Sequence, residues 1–338
     1  MLTILAAVFV FGVLVTVHEF GHFITAKLTG MRVDEFAIGF GPKIYQHQEG
    51  ETLYSLRAIP LGGYNKIAGM DPEDPIMEDG FNGRPLPARM LVILAGALMN
   101  FLLPVILFSG IFMVDGMTRV AEVPVIGQAF EGRAAHVAGL RSGDEIISIN
   151  GNKVQKWNDV IALTRDNGTK EMTIVAKTAK GERSFTMTPV YNEQLGRALV
   201  GISPKLEKIK PGVLESCKLG VTYTKRIMFA MVDGLQKMIR GKSKLEISGP
   251  IGVAQAAGEV AGQGILPLMN FVAFLSINLG VINLLPLPAL DGGHFILLVL
   301  ELLRGKPLGA KAMNNIQMVG IGLILAITIF STFKDITR

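Results

Sequence analysis

Residues 3–28 read TILAAVFVFGVLVTVHEFGHFITAKL and place His18-Glu19-Phe20-Gly21-His22 inside a long apolar run. At about 1.5 Å rise per residue, such a run reaches across a bilayer core of about 30 Å. A secretory signal peptide would need a basic start and a small-residue cleavage site. The start, Met1-Leu2-Thr3, carries no Lys or Arg, so the run reads as a retained membrane helix with its N-terminus outside by the positive-inside rule. On that helix His18 and His22 are four residues apart and share a face, so both imidazoles can reach one cation. Zinc takes such nitrogens at about 2.0–2.1 Å. Glu19, beside the first histidine, is placed to serve as general base on a water. The five-residue pattern arises easily by chance in a soluble chain. Here chance is a poor explanation, because one charged group at mid-membrane costs roughly 2.5–3.5 kcal/mol, and three ionisable groups in five residues need a compensating partner.

The rest of the composition agrees with a membrane chain. Of 338 residues, 49% are hydrophobic and 18% charged, against about 25% charged in ordinary soluble domains. The mean hydropathy is +0.42. The net charge is +5, but Lys and Arg form no dense block, and basic flanks accompany membrane segments. Nucleic-acid binding is not expected. The single cysteine, Cys217, excludes an intramolecular disulfide and a Cys-based zinc site. Metal ligands must come from His, Asp and Glu, and the histidines are His18, His22, His47, His136 and His294.

Outward from the motif, spanning helices are expected at about 3–28, 90–114, 265–285 and 313–333, four in all. Residues 32–69 are rich in β-branched and aromatic residues around a polar turn at Gln48-Glu49-Gly50-Glu51, and predict a β-hairpin. Its glycines and prolines would bend or end the strands. Residues 71–88 read as a loop. Residues 117–205 turn polar, with short β-like runs and the turn signal Asn150-Gly151, and predict a soluble insert. Residues 212–240 predict an amphipathic helix lying on the membrane surface: Ile227, Met228, Met231, Leu235, Met238 and Ile239 recur at helical spacing, interrupted by Lys225, Arg226, Lys237 and Arg240. The domains are then 1–116 (N-terminal membrane domain), 117–205 (soluble insert), 206–264 (amphipathic linker helix and connection) and 265–338 (C-terminal membrane domain).

Two histidines leave a catalytic zinc site one protein ligand short. Asp291 is the candidate. It follows Asn283-Leu284-Leu285-Pro286-Leu287-Pro288-Ala289-Leu290 and precedes Gly292-Gly293, where prolines and glycines break the helix. Non-helical backbone at membrane depth is tolerated only where protein or a cavity lines it. The spacing is equally compatible with Asp291 capping a helix that starts near Gly292. His294 reads as a helix-start histidine, and His47 and His136 as solvent-facing. Asn100, Asn278 and Asn283 read as interhelical hydrogen bonds.

His18 to His22 in a first membrane helix, together with Leu290-Asp291-Gly292 in a late one, resembles the site-2 protease family of intramembrane zinc metalloproteases. Further stretches carry the likeness: Glu35 to Lys43, Ile59-Pro60-Leu61-Gly62-Gly63-Tyr64, and, for the bacterial RseP-like branch, Ser248-Gly249-Pro250-Ile251-Gly252 and Asn283 through His294. Gly96-Ala97-Leu98-Met99-Asn100 departs in having Ala97 where many relatives have proline. Ala138-Gly139-Leu140-Arg141-Ser142-Gly143-Asp144-Glu145-Ile146-Ile147-Ser148-Ile149-Asn150-Gly151 resembles the helix-to-strand segment of a PDZ domain, and the insert has room for one.

The resemblance implies a multi-pass α-helical membrane protein of the bacterial inner membrane, with a membrane-associated β-hairpin and one inserted α+β PDZ domain. It implies one zinc ion held by His18, His22 and Asp291, Glu19 as the catalytic acid–base group, and Asn283 as a substrate-backbone contact. It implies regulated intramembrane proteolysis of single-pass membrane proteins, such as anti-sigma factors or remnant signal peptides. The PDZ domain would be extracytoplasmic, binding a peptide or excluding bulky substrates, and the active site would lie toward the cytoplasm. The rival readings are a PDZ-based membrane scaffold with a structural metal, and a transporter. The first has no need of Glu19, and the second lacks the expected repeat of halves.

Overall fold

The computed structural model describes residues 1–193, 196–241 and 249–337. The chain divides into two compact units, Met1–Val114 with Gly212–Arg338, and Asp115–Pro211.

The first unit opens with α1 (Leu2–Leu28), the antiparallel pair β1 (Val33–Glu49) and β2 (Thr52–Ile67), and α2 (Leu86–Asp115). The strands do not end at their glycines. They continue through repeated register shifts, with Gly39, Gly41 and Gly62 at positive φ, so the ladder bends where a residue without Cβ permits it. One polar cluster holds the bent pair together. Glu35 accepts hydrogen bonds from Ser55 Oγ at 2.6 Å, Arg57 Nη2 at 2.8 Å and Tyr64 OH at 2.8 Å. Burial alone would raise the Glu35 carboxyl, but these three donors outweigh it and hold it at about 2. Helix α2 begins earlier than the hydropathy of 90–114 suggested, and carries Pro104 inside it, as membrane helices tolerate.

The second unit contains β3 (Met117–Val120), β4 (Ile126–Ala129), α3 (Ala134–Ala138), β5 (Glu145–Ile149), β6 (Asn152–Lys153), α4 (Trp157–Asn167), β7 (Met172–Thr178), β8 (Gly181–Met187), β9 (Val190–Asn192), β10 (Arg197–Leu199), β11 (Ile202–Pro204) and β12 (Leu206–Ile209). An antiparallel sheet of order β6-β5-β7-β8 is joined by the pairs β3-β12, β4-β11 and β9-β10. Asn150 and Gly151, both at positive φ, make the tight β5–β6 turn that an Asn-Gly pair favours. The core gathers Ile126, Leu140, Ile146, Ile149, Ile174 and Trp157, among others. The unit extends beyond 117–205 because β12 pairs with β3; a four-residue strand closing on a distant one leaves no local signal.

The first unit resumes with α5 (Val213–Ile239), α6 (Pro250–Gly262), α7 (Ile265–Asn283), α8 (Asp291–Arg304) and α9 (Ala310–Ile336). Helix α6, inside the expected connection, was not legible, since it carries Gly252, Gly258 and Gly262. Those glycines admit close neighbours: an added Cβ at Gly258 would lie 2.5 Å from Thr3 Oγ1 on α1. The Gly249 and Gly252 amides donate to Asp335 of α9 at 3.0 and 2.7 Å, which accounts for two glycines of the 248–252 stretch. Ser248 lies outside the described residues. Helix α5 packs Ile227, Met228, Met231 and Leu235 against Phe108, Ile277 and Val281 of α2 and α7.

Among the described residues, four helices are long and apolar enough to cross a membrane: α1, α2, α7 and α9. In lipid their association rests on close packing rather than on release of water. Helices α1 and α2 meet through small residues, and an added Cβ on Gly21 would lie 2.4 Å from the Ala95 carbonyl.

Candidate active site

The α1–α2 crossing sets the two histidines in place. His22 donates from Nδ1 to the Val92 carbonyl of α2 at 2.8 Å, which leaves the Nε2 lone pair free. Its Nε2 lies 3.2 Å from His18 Nε2. Gly96, one turn beyond Val92, makes room for both rings: an added Cβ would sit 2.3 Å from His22 Nε2 and 2.7 Å from His18 Cε1.

Asp291 arrives from the far end of the chain. After Asn283 the backbone leaves the helix through Leu284–Leu290 in a tight turn, with Leu287 N–H donating to the Leu285 carbonyl at 2.7 Å and Ala289 at positive φ. Gly292 and Gly293 pack onto that turn so closely that an added Cβ would lie 2.3 and 2.1 Å from the Leu285 and Leu287 carbonyls. Gly320 of α9 rests against Pro288 from outside. Helix α8 starts at Asp291 itself, with Leu290 as its N-cap and no side-chain cap. The capping alternative is therefore not what the structure shows. Asp291 Oδ2 instead lies 3.4 Å from His18 Nε2 and 3.5 Å from His22 Nε2.

The three side chains are 11–15% exposed, and their ligand atoms lie within 4.8 Å of one another. Asp291 Oδ2 is buried with no hydrogen-bond partner among the described residues. A buried carboxylate oxygen left unpaired is costly, whereas two imidazoles and a carboxylate form the donor set of a catalytic zinc site. The residues present fit a zinc ion.

Strand β2 runs beside the motif. An added Cβ on Gly63 would be 3.7 Å from Glu19 Cγ, and Asn65 Nδ2 reaches the Glu19 carbonyl at 3.5 Å. Asn283 Nδ2 stands 3.4 and 3.5 Å from the two His18 ring nitrogens, so it borders the cluster. His294 is no part of it, as its Nε2 meets Gln317 Nε2 of α9 at 3.1 Å. His47 is exposed and His136 partly so. A cavity of about 350 Å³ lies between Asn65 to Met70 of β2 and its following turn, His294 and Leu298 of α8, and Gln317 of α9.

Asn100 is the residue that sequence reasoning undervalued. It is fully buried, and its Nδ2 lies 3.0 Å from His18 Nδ1. The signal was available in the Gly96-to-Asn100 spacing, one helical turn on the same face, but only the crossing with α1 shows what that face meets.

A family model for peptidase family M50 matches residues 6–327. The regulator of sigma-W protease RasP of Bacillus subtilis is 29% identical over 99% of this chain and 98% of its own length. The zinc metalloprotease RasP of Geobacillus kaustophilus is 32% identical over 99% and 98%. A Clostridium acetobutylicum protein named as a zinc metalloprotease is 35% identical over 98% and 97%. Among solved structures, a PDZ domain of an SdrC-like protein from Listeria monocytogenes aligns with 25% of this chain and 90% of its own length, at 16% identity and a TM-score of 0.23. That likeness is too weak to carry a fold assignment.

Proposed function

The chain belongs to peptidase family M50 and is a membrane-bound zinc metallopeptidase, and from that premise we propose that it cuts single-pass membrane proteins within or beside the bilayer. The observation that carries this reading is the convergence of His18 and His22, on the membrane-length helix α1, with Asp291 at the start of the 14-residue α8. His18, His22 and Asp291 would hold the zinc, which supplies Lewis acidity toward a peptide carbonyl and makes a water more acidic. Glu19 takes the proton of the attacking water on its carboxylate and delivers it to the leaving amide nitrogen. Asn283, bordering the cluster, contacts the substrate backbone.

Hydrolysis needs an extended segment, because helical hydrogen bonds occupy the carbonyl. Strand β2 passes Glu19 at Gly63 and Asn65, and a peptide paired alongside it as an added strand would be held extended at the site. By chain order and the positive-inside rule, the hairpin and α8 face the cytoplasm and residues 115–211 are extracytoplasmic. The latter unit is a PDZ domain in this reading. A groove of about 790 Å³ between α4 and residues 197–204 is where it would take a peptide strand. The B. subtilis relative is named for regulation of sigma-W, which suggests membrane-anchored regulators as substrates. Remnant signal peptides share the same single-span form.

The test is reconstitution with a single-span substrate in proteoliposomes. Cleavage that stops on chelation, returns with zinc, and maps by mass spectrometry to the substrate's membrane segment or its edge is expected. Cleavage confined to a soluble domain, or insensitive to chelation, would overturn the reading.

A further inference from the structure

The His18 ring needs its Nε2 lone pair to bind a metal, since that nitrogen faces His22 Nε2 at 3.2 Å and Asp291 Oδ2 at 3.4 Å. A neutral imidazole that ligates through Nε2 carries its proton on Nδ1 and requires an acceptor there. Nδ1 faces the side-chain amide of Asn100, which is fully buried in α2. With the amide nitrogen turned toward Nδ1, the ring proton would be driven to Nε2, the wrong nitrogen for ligation. The Asn100 oxygen would also stay buried without a hydrogen-bond partner among the described residues, as it does here. A half-turn of the amide about Cβ–Cγ, which preserves its shape, puts Oδ1 opposite Nδ1 and gives that oxygen a donor. Asn100 is itself held in place: Ser276 Oγ of α7 donates to its backbone carbonyl at 2.8 Å.

We propose that Asn100 is a positioning residue which accepts the Nδ1–H of His18 through its amide oxygen, fixing the ring in the tautomer and orientation that bind zinc. This rests on the reading of His18 as a ligand. The known requirement is general, as ligating histidines hand their second N–H to a carbonyl, carboxylate or water, and loss of that partner typically lowers metal affinity 10–100-fold. Gly96, one turn earlier on α2, packs against the His18 ring, and its carbonyl is a competing acceptor.

The experiment measures zinc affinity by chelator competition on the purified full chain in detergent, for wild type, N100D, N100L and H18A. Asp keeps an acceptor oxygen and cannot donate from a nitrogen, whereas Leu keeps neither. N100L is expected to bind zinc 10–100-fold more weakly, and N100D less than about tenfold more weakly. N100A replaces N100L if the larger side chain prevents folding. An N100D as weak as N100L would show that the residue acts as a donor and overturn the proposal. An N100L with wild-type affinity would assign the Nδ1 proton to Gly96, to the Asn283 amide 3.4 Å away or to no protein group, and overturn it too. Wild-type affinity in H18A would overturn the ligand assignment itself, and the proposal with it. A weakened H18A beside an unchanged N100L would overturn the role of Asn100 alone.

Discussion

Replacing Gly96 by alanine should disable the metal site by one methyl group. The added Cβ would lie 2.3 Å from His22 Nε2 and 2.7 Å from both His22 Cε1 and His18 Cε1. To reach an ordinary contact near 3.4 Å, the His22 nitrogen must retreat by about 1.1 Å. His22 cannot swing away freely, because its Nδ1–H is tied to the Val92 carbonyl at 2.8 Å on the same helix. Zinc sites tolerate ligand displacements of about 0.2 Å, and a misplacement of about 1 Å costs around 100-fold in rate, or about 2.7 kcal/mol of transition-state stabilisation. Gly110→Ala, on the same helix with nothing within 4 Å of the added methyl, is the matched control. Zinc content and cleavage rate of both variants in detergent are the assay. Gly96→Ala should lose at least about 100-fold in rate, and Gly110→Ala should behave as wild type. A Gly96→Ala enzyme with full zinc and full rate would refute the packing argument.

Other expectations follow from the same contacts. Glu35 is held at about 2 against an ordinary 4.5, so its contribution to the hairpin is complete above pH 4.5 and lost as the pH falls toward 2; hydrogen exchange of β1–β2 amides should show this, and Glu35→Gln should abolish the pH dependence. Ile174 is fully buried in the core of the second unit, so Ile174→Ala should cost about 2–5 kcal/mol, read by denaturation through Trp157, the single tryptophan. Asp335→Ala removes the carboxylate that accepts from the first amides of α6 and should cost about 0.5–2 kcal/mol, measured as a lower unfolding temperature in detergent with zinc content unchanged.

The membrane helices were legible because hydropathy over twenty-odd residues is a local signal, and the His18–His22 pair because four-residue spacing fixes a shared helix face. Asp291 was half legible: the prolines and glycines around it announced a break, but ligand and helix cap have the same local pattern. Only the turn through Leu284–Leu290, packed on Gly292 and Gly293, brings Asp291 beside the two histidines without a capping hydrogen bond. The bulges of β1–β2 and the pairing of β12 with β3 depend on partners far along the chain, where short strands carry no periodicity. Helix α6 hid behind glycines that serve tight packing against α1 and α9. Asn100 was hidden by geometry, since an apolar helix with one asparagine says nothing about which neighbour that asparagine meets.

The most direct measurement compares wild type with Glu19→Gln, both loaded with zinc, on a single-span substrate in proteoliposomes. Glu19 is the sequence neighbour of His18 and, among the described residues, does not belong to the set that could hold the ion. Zinc content should therefore be equal in the two proteins, and cleavage should fall by at least 100-fold in the variant, the scale of losing a general acid–base group. Equal cleavage by Glu19→Gln at equal zinc content would contradict the assignment of Glu19 as the proton-transfer residue of an intramembrane peptidase.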